Sequence, residues 1–130
     1  EAAQKGFISA NAETLYNTAV TQAFEYWNTN LPATYLTLNA NYNAVDKSPL
    51  EQIITQKWIA SLINGYEGWT EYRRTGFPAL KTISASLNNG LIPVRMPYPA
   101  EAASLNIENY KVAETATNGN SLDVKVWWNE

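Results

Sequence analysis

Two adjacent arginines, Arg73 and Arg74, stand near the middle of the chain among aromatic residues, in the segment GWTEYRRTGFP at positions 68–78. A third arginine, Arg95, lies in the proline-rich stretch IPVRMPYP. Guanidinium groups in aromatic surroundings are usually held by stacking and by carboxylate pairing. The sequence therefore predicts that this region is a structural hub.

Two carboxylates, Glu67 and Glu71, are four positions apart and would share one face of a helix. Paired carboxylates are the acid and base of glycosidases, which predicts an acidic glycosidase as one alternative. However, adjacent turns of one helix are a poor way to flank a scissile bond, and Arg74 offers Glu71 an ion-pair partner three residues on. The structural interpretation is favoured over catalysis.

Composition excludes several classes of function. The 130 residues contain no His and no Cys, which removes thiol nucleophiles, histidine bases and ordinary zinc sites. A net charge of −3 gives no basic field for nucleic acid. No run of apolar residues is long enough to span a membrane, and no signal peptide opens the chain. We expect no cofactor and no metal.

Aromatic and uncharged polar residues are abundant, with five Trp and eight Tyr beside many Asn and Thr. Aromatic faces combined with amides and hydroxyls suit sugars, whose C–H faces stack and whose hydroxyls need hydrogen bonds. The same composition also fits a protein whose aromatic residues simply fill its core.

Three helices are predicted in the first half of the chain. Asn11 is expected to cap a helix from Ala12 to about Asn28. Ser48, Pro49 and Glu51 have the pattern of a helix start, and apolar residues then cover most of the circumference as far as Ile63. A helix of that kind is expected in a core, with Asn64-Gly65 ending or kinking it.

A short third helix is predicted from Tyr66 to Arg74, ended by Gly76 and Pro78. Between the first two helices, residues 28–47 contain a proline and repeated asparagines and are predicted to be mostly irregular. Tyr35 and Tyr42 lie in that loop, where no periodic pattern requires their burial.

The second half is predicted to be mostly irregular. A polar linker from Lys81 to Gly90 ends in the turn signal Asn89-Gly90. IPVRMPYP cannot be a central strand, because proline donates no ladder hydrogen bond. One helical turn (101–105), a helix capped by Asn106 (107 to about 117) and an alternating, half-buried tail (122–128) follow. The prediction is a mainly α fold with long irregular proline-rich segments, at most short strands, and a single domain over residues 1–130.

The order of three segments carries a family resemblance: ITQKWIASLINGYEGWTEYRRTGFP, IPVRMPYPAEAASLNIENYKVA and a closing VWWNE. Together they resemble the C-terminal region of SusD/RagB-type proteins, the surface lipoproteins with which Bacteroidetes capture nutrients. The opening EAAQKGFISANAETLYNTAVTQAFEYWN is similar to the family's helix just upstream, so the resemblance covers essentially the whole chain.

The resemblance implies a SusD-like α-helical protein with tetratricopeptide-like helix pairs that binds glycans and catalyses nothing. Its expected partners are an oligosaccharide or another nutrient, such as a peptide, and a SusC-like, TonB-dependent transporter. The expected location is the outer membrane, exposed at the cell surface. Family members are several times longer and begin with a lipobox cysteine. We therefore expect this chain to be a C-terminal part without the lipid anchor and the N-terminal half.

The resemblance also assigns residues. Arg73 and Arg74 match the signature RRTG-x-P, and Arg95 matches IP-x-R-x-PYP, in which we interpret the arginines as structural groups that hydrogen-bond carbonyls and carboxylates. Tyr35 and Tyr42 are the candidates for ligand binding, with Trp127 as a third. The alternatives are that the two tyrosines only pin their loop to the domain, and that this region supports the fold or docks on the transporter while the ligand site lies elsewhere.

Overall fold

The structure is a computed structural model that describes residues 1–82, 85–86 and 88–129. Those residues form five α-helices and one short π-helix, and no β-strand is present among them. The α-helices are α1 (Ala12–Tyr26), α2 (Pro49–Ala60), α3 (Gly65–Thr75), α4 (Ala100–Leu105) and α5 (Ile107–Ala116). The prediction of a mainly α fold is confirmed.

Two compact units make up the chain, Glu1–Ala79 with α1 to α3 and Leu80–Glu130 with α4 and α5. That residues 1–130 form a single domain stays a prediction. Residues 83, 84 and 87 of the predicted linker and residue 130 of the closing motif lie outside the described residues.

Side-chain caps begin the first three α-helices. The side-chain oxygens of Asn11, Ser48 and Asn64 each accept a hydrogen bond from the backbone amide three residues on, at 2.8, 3.1 and 3.4 Å. Such a cap satisfies one of the helix-end amides that have no partner inside the helix. The predicted caps Asn11 and Ser48 are confirmed. Asn64, which the sequence predicts only as a helix end, also starts α3.

The end of α3 follows from its glycine. Gly76 has a φ of 72°, a left-handed conformation that costs other residues steric strain, and its amide donates to the carbonyl of Tyr72 at 2.8 Å. The predicted end at Gly76 is confirmed. Upstream, Gly68 brings α3 close to α2, because a Cβ atom at that position would stand 3.2 Å from the Trp58 ring.

The core of the first unit joins one face of α1 to the loop at residues 28–47. Tyr16 and Val20 of α1 are buried together with Ala40, and the Tyr16 hydroxyl donates to the Ala40 carbonyl at 3.0 Å. Burial raises the pKa of Tyr16 to about 12. The loop is more regular than predicted, since a π-helix spans Tyr35–Asn39. The contacts of this segment with the core explain that order.

The prediction that α2 lies in a core is confirmed for one side of the helix, where Ile54 is fully buried, and is wrong for the rest. Only Gln52 and Ile54 of this helix are buried, whereas Ile59 is 48% exposed. The helix ends at Ala60, so Leu62 lies in the following turn and is 82% exposed. Within the first unit α2 packs on α1 and α3, and these two neighbours leave part of its apolar circumference uncovered.

The second unit pairs its proline-rich segment with the tail. The amide of Val94 donates to the carbonyl of Leu122 at 2.9 Å, and the tail alternates between half-buried and exposed residues from 122 to 126, as predicted. Asn106 precedes α5 at the predicted position, but its side chain accepts a hydrogen bond from the Asn109 side chain instead of capping a backbone amide.

The buried hydroxyl of Tyr16 gives a stability prediction. Tyr16→Phe should lower the free energy of unfolding by about 1–2 kcal/mol, because it leaves the buried carbonyl of Ala40 without this donor. Urea denaturation measures the change. The matched control is Tyr66→Phe at a tyrosine that is 70% exposed, and it should change little. Equal effects of the two substitutions would contradict this account of the core.

Candidate functional site

The best-connected polar cluster of the first unit is built around the carboxylate of Glu71 on α3. Its side chain is only 9% exposed and accepts from Arg74, whose Nη2 lies 2.7 Å from Oε2. Lys57 of α2 reaches the same carboxylate, with Nζ 3.2 Å from Oε1, and also Glu67 at 2.7 Å. The two carboxylates that could form a catalytic pair are therefore bridged by one ammonium group.

Arg74 extends this cluster to the first residue of the chain. Its Nη1 and Nη2 donate to the two carboxylate oxygens of Glu1 at 2.9 and 2.7 Å, a bidentate pair. The hydrogen bonds to Glu71, followed by these two to Glu1, raise the pKa of Arg74 above its ordinary value. The predicted ion pair between Arg74 and Glu71 is confirmed.

The protonation state of Glu71 argues against acid catalysis. Burial favours the neutral form, but hydrogen bonds from Arg74 and Lys57 outweigh it, so the pKa of Glu71 lies below its ordinary value of 4.5. A general acid that works near neutral pH needs the opposite shift. The ion pairs of this cluster connect α2, α3 and Glu1, and we call it the clamp.

Arg73 points to a different set of partners. Its guanidinium carbon lies 3.7 Å from the centre of the Trp69 ring, and Nη2 donates to the Thr70 hydroxyl at 3.3 Å. This stacking matches the aromatic surroundings from which the sequence predicts a fixed arginine. The geometry supports a structural role for Arg73.

Arg95 is buried in the second unit, with 8% of its surface exposed. Its Nη1 donates to the Ser121 carbonyl at 2.7 Å and to the Asn120 side chain at 3.2 Å, and its guanidinium lies 4.9 Å from the Tyr98 ring centre. Asn120 in turn accepts from the Tyr98 amide and donates to the Tyr98 carbonyl. Arg95 and Asn120 thus hold the proline-rich segment to the loop after α5.

The described part of the chain contains neither a cluster of metal ligands nor a helix that could span a membrane. Among residues 1–82, 85–86 and 88–129, no three His, Cys, Asp or Glu side chains are placed to hold a metal ion. The helices there are also too short and too polar to cross a bilayer.

A cavity of about 630 Å³ opens between α1 and α2 in the first unit. Leu15, Trp27 and Ile59 are among its apolar wall residues, and Gln56 is one of its few polar ones. Its size lies within the usual range for ligand pockets. The sequence analysis did not predict this cavity. The signal that could have indicated it is the four-residue spacing of Leu15, Ala19 and Ala23, which places three lining residues on one face of α1.

The structure attaches both candidate tyrosines of the loop to the core. The Tyr35 ring meets Phe24 edge-on at 5.0 Å, and its hydroxyl donates to Gln56 Oε1 at 3.1 Å. The Tyr42 ring lies 5.4 Å from that of Tyr16. These contacts support the alternative in which the tyrosines pin their loop. Tyr35 also lines the cavity, and a ligand-binding role for either stays a prediction.

The third candidate, Trp127, belongs to the second unit and is 95% exposed. Its neighbour Trp128 is half-buried, so the tail keeps one indole against the protein and presents the other to solvent. Of the three candidates, Trp127 has the ring face most accessible to a ligand.

The chain is similar to a protein family and to solved structures. Residues 1–99 match the family model SusD-like_2, described as starch-binding and associating with the outer membrane. A solved chitin-binding protein shares 30% identity and superposes with a TM-score of 0.77, and a SusD-like protein of Bacteroidetes AC2a shares 26% with a TM-score of 0.80. Each covers 99% of this chain, which spans 30% and 28% of their lengths. No curated protein matches.

The clamp predicts the effect of removing its arginine. Arg74→Ala should lower the free energy of unfolding by about 1–2 kcal/mol, because Glu71 loses one cation but keeps Lys57. Urea denaturation checks this against Lys111→Ala, a change at an exposed lysine of α5 that should have little effect. A loss below about 0.5 kcal/mol for Arg74→Ala would show that the clamp contributes nothing beyond a surface ion pair.

The lowered pKa of Glu71 predicts a pH dependence. Because the folded pKa lies below the unfolded value of 4.5, ionised Glu71 stabilises the fold above about pH 4.5. This contribution is lost as the pH falls through the folded pKa. Urea denaturation of the wild type and of Glu71→Gln should therefore differ most at neutral pH and converge as the pH falls through the folded pKa of Glu71. A difference that is constant or widens in acid would contradict the assignment.

Proposed function

This chain belongs to the SusD-like family of starch-binding, outer-membrane-associated proteins, and we propose from that premise that it takes part in capturing glycans at the bacterial cell surface. The observation that carries the proposal is the family match over residues 1–99. The structural likeness to a chitin-binding protein supports the same class of ligand. An oligosaccharide is the proposed ligand, and a peptide or another nutrient is the competing one.

Trp127 is the residue we assign first to sugar stacking. An indole that is 95% exposed offers both faces to the C–H groups of a sugar ring, and the half-buried Trp128 beside it anchors this part of the tail. Tyr35 and Tyr42 are the second choice, because each already uses its ring in a contact with an aromatic residue of α1.

Binding without catalysis is the proposed activity. Glu67 and Glu71 are the carboxylate pair that the sequence offers, and both bind Lys57. The pKa of Glu71 is shifted away from what a general acid requires. The glycosidase alternative would need one carboxylate of this pair to remain protonated near neutral pH.

The proposed setting is the outer membrane, where a captured glycan passes to a SusC-like, TonB-dependent transporter. We propose that these residues form a C-terminal part of a longer lipoprotein, with the lipid anchor outside them. The supporting facts are the RRTG-x-P and IP-x-R-x-PYP signatures and the small share, 30% and 28%, that this chain makes of its solved relatives.

A second function, supporting the fold or docking on the transporter, is favoured by one observation. The first unit exposes several large apolar side chains close together in sequence: Leu62 at 82%, Ile63 at 79% and Tyr66 at 70%. Apolar patches of that kind commonly mark interaction surfaces. In this case the ligand site would lie outside these residues.

Calorimetric titration of the 130-residue chain with starch and chitin oligosaccharides tests the proposal. We expect saturable binding of one of the two glycans. Trp127→Ala should weaken it by about 2- to 10-fold, in line with the 0.5–1.5 kcal/mol typical of aromatic contacts. Calorimetry avoids the ambiguity of tryptophan fluorescence, because the substitution removes one of the five indoles.

Two further variants make this titration specific. Tyr66→Ala removes an exposed ring from the first unit, one that is 70% accessible, and should leave glycan affinity unchanged. Tyr35→Phe keeps the ring contact with Phe24 but loses the bond to Gln56, so a weaker affinity would extend the site to the loop. Flat titrations from a folded sample would refute glycan binding by these residues and favour the docking alternative.

A further inference from the structure

Three Asn-Gly pairs occur in this chain, Asn64-Gly65, Asn89-Gly90 and Asn118-Gly119. In such a pair the backbone nitrogen of the glycine can attack the side-chain carbonyl carbon of the asparagine, because glycine has no Cβ atom to obstruct the approach. The reaction needs an asparagine side chain and a glycine amide that are both free to move. The structure holds the three pairs in three different ways and so distinguishes them, which the sequence does not.

Asn118-Gly119 is held at the end of α5. Both residues have a left-handed backbone, with φ values of 49° and 76°, and the Gly119 amide donates to the Glu114 carbonyl at 2.9 Å. This is the amide–carbonyl bond of a Schellman-type helix end. The next residue, Asn120, is fixed as well, because its side chain accepts a hydrogen bond from Arg95. The nitrogen that would attack is therefore already engaged as a donor.

Asn64-Gly65 is held at the start of α3. Asn64 Oδ1 accepts from the Glu67 amide at 3.4 Å, and the Asn64 carbonyl accepts from the Gly68 amide at 3.3 Å. Asn64 is thus the helix cap, and Gly65 is the first residue of the helix. Attack by the Gly65 nitrogen would require the Asn64 side chain to leave its cap and the first turn to unwind, which leaves helix-end amides without a partner.

Asn89-Gly90 forms the centre of a tight turn in the second unit. Positive φ values at both residues, 53° and 78°, are typical of a type I′ turn, and the Leu91 amide donates to the Asn88 carbonyl at 2.8 Å across it. Asn89 is exposed. Among the described residues, neither its side chain nor the Gly90 amide has a hydrogen-bond partner. The two groups that react with each other are therefore both free at this pair.

We propose that Asn89 is the site at which this chain deamidates spontaneously, through a five-membered succinimide ring. The Gly90 nitrogen loses its proton to water and forms a bond to Cγ of Asn89, while the Cγ–Nδ2 bond breaks and ammonia leaves. Water then opens the ring. Addition at Cγ gives aspartate, and addition at the backbone carbonyl carbon gives isoaspartate. Water is the only co-reactant, and the proposal is independent of glycan binding.

The conversion would alter the turn and its link to the tail. Both products carry a negative charge, and isoaspartate also adds one backbone atom between residues 88 and 90. The bond from the Leu91 amide to the Asn88 carbonyl cannot keep its geometry across the longer backbone. Because the Asn88 side chain donates to Asp123 Oδ1 at 2.6 Å, a disturbed turn also disturbs this contact with the tail.

Peptide mapping tests the proposal, because trypsin separates the three pairs. Cleavage after lysine and arginine gives the peptides 58–73, 82–95 and 112–125, each with one Asn-Gly pair. The folded 130-residue chain is incubated in mildly alkaline buffer made with oxygen-18 water and is then digested in ordinary water. The heavy oxygen marks conversion that took place in the folded chain, and fragment ions distinguish Asn89 from Asn88.

We expect Asn89 to convert at least about 10-fold faster than Asn64 and Asn118 in the folded chain, on the order of the factor that one net hydrogen bond provides. The three should convert at similar rates in the chain unfolded by urea, where the cap and the helix end no longer exist. Equal rates in the folded chain, or faster conversion at Asn64 or Asn118, would overturn the proposal. No conversion of folded Asn89 over a time in which the unfolded chain converts would also overturn it.

Two matched variants test the route. Asn89→Gln keeps a side-chain amide but is one methylene too long to close a five-membered ring, so it should abolish the fast conversion in peptide 82–95. Asn118→Gln makes the same change at the helix end and should leave that conversion unchanged. Formation of aspartate without any isoaspartate at position 89 would contradict the succinimide.

Discussion

Glu71 places the strongest physical constraint on the first unit, because a carboxylate that is 9% exposed must keep its charge compensated. Arg74 on the same helix and Lys57 on α2 provide that compensation, and Arg74 also holds Glu1. The crossing of α2 and α3 depends on this clamp and on the close approach at Gly68. Removing the side chain of either cation leaves the carboxylate with one partner fewer in a site that excludes most water.

This constraint connects the fold to the functional interpretation. Lys57 binds the carboxylates of both Glu67 and Glu71, so the first unit has no free acid–base pair at this position. A partner of this unit would therefore contact its surface and would not meet a catalytic pair there. The loop at residues 28–47 covers one face of α1, and Tyr16 and Val20 of that face also border the cavity between α1 and α2. The second unit offers Trp127, and Arg95 and Asn120 hold its proline-rich segment to the loop after α5.

Local signals were readable in the sequence, and long-range ones were not. Caps at Asn11 and Ser48 and the end at Gly76 follow from side-chain chemistry within a few residues, so the helix positions could be predicted. The burial of α2 could not be predicted, because a helix that is apolar nearly all round does not reveal which of its sides packs against a neighbouring element. In the same way the pairing of Arg74 with Glu71 lies within one helical turn, whereas the contact of Lys57 with that carboxylate joins two helices.

The candidate site shows the same limit. Tyr35 and Tyr42 stand in a segment without periodicity, and only the folded loop reveals that their rings pack on α1. Trp127 falls on the same side of the alternating tail as Asp123 and Lys125, and the structure exposes it. The exposure of a ring depends on tertiary contacts, which a single sequence does not reveal.

The measurement that tests the central claim most directly is a carbon-13 NMR titration of the Glu71 carboxyl group in the folded chain. If this carboxylate is the clamp between α2 and α3 and the protein binds its ligand without catalysis, its pKa will lie below the ordinary 4.5. A pKa raised to about 6 or above would contradict the clamp and would restore Glu67 and Glu71 as an acid–base pair.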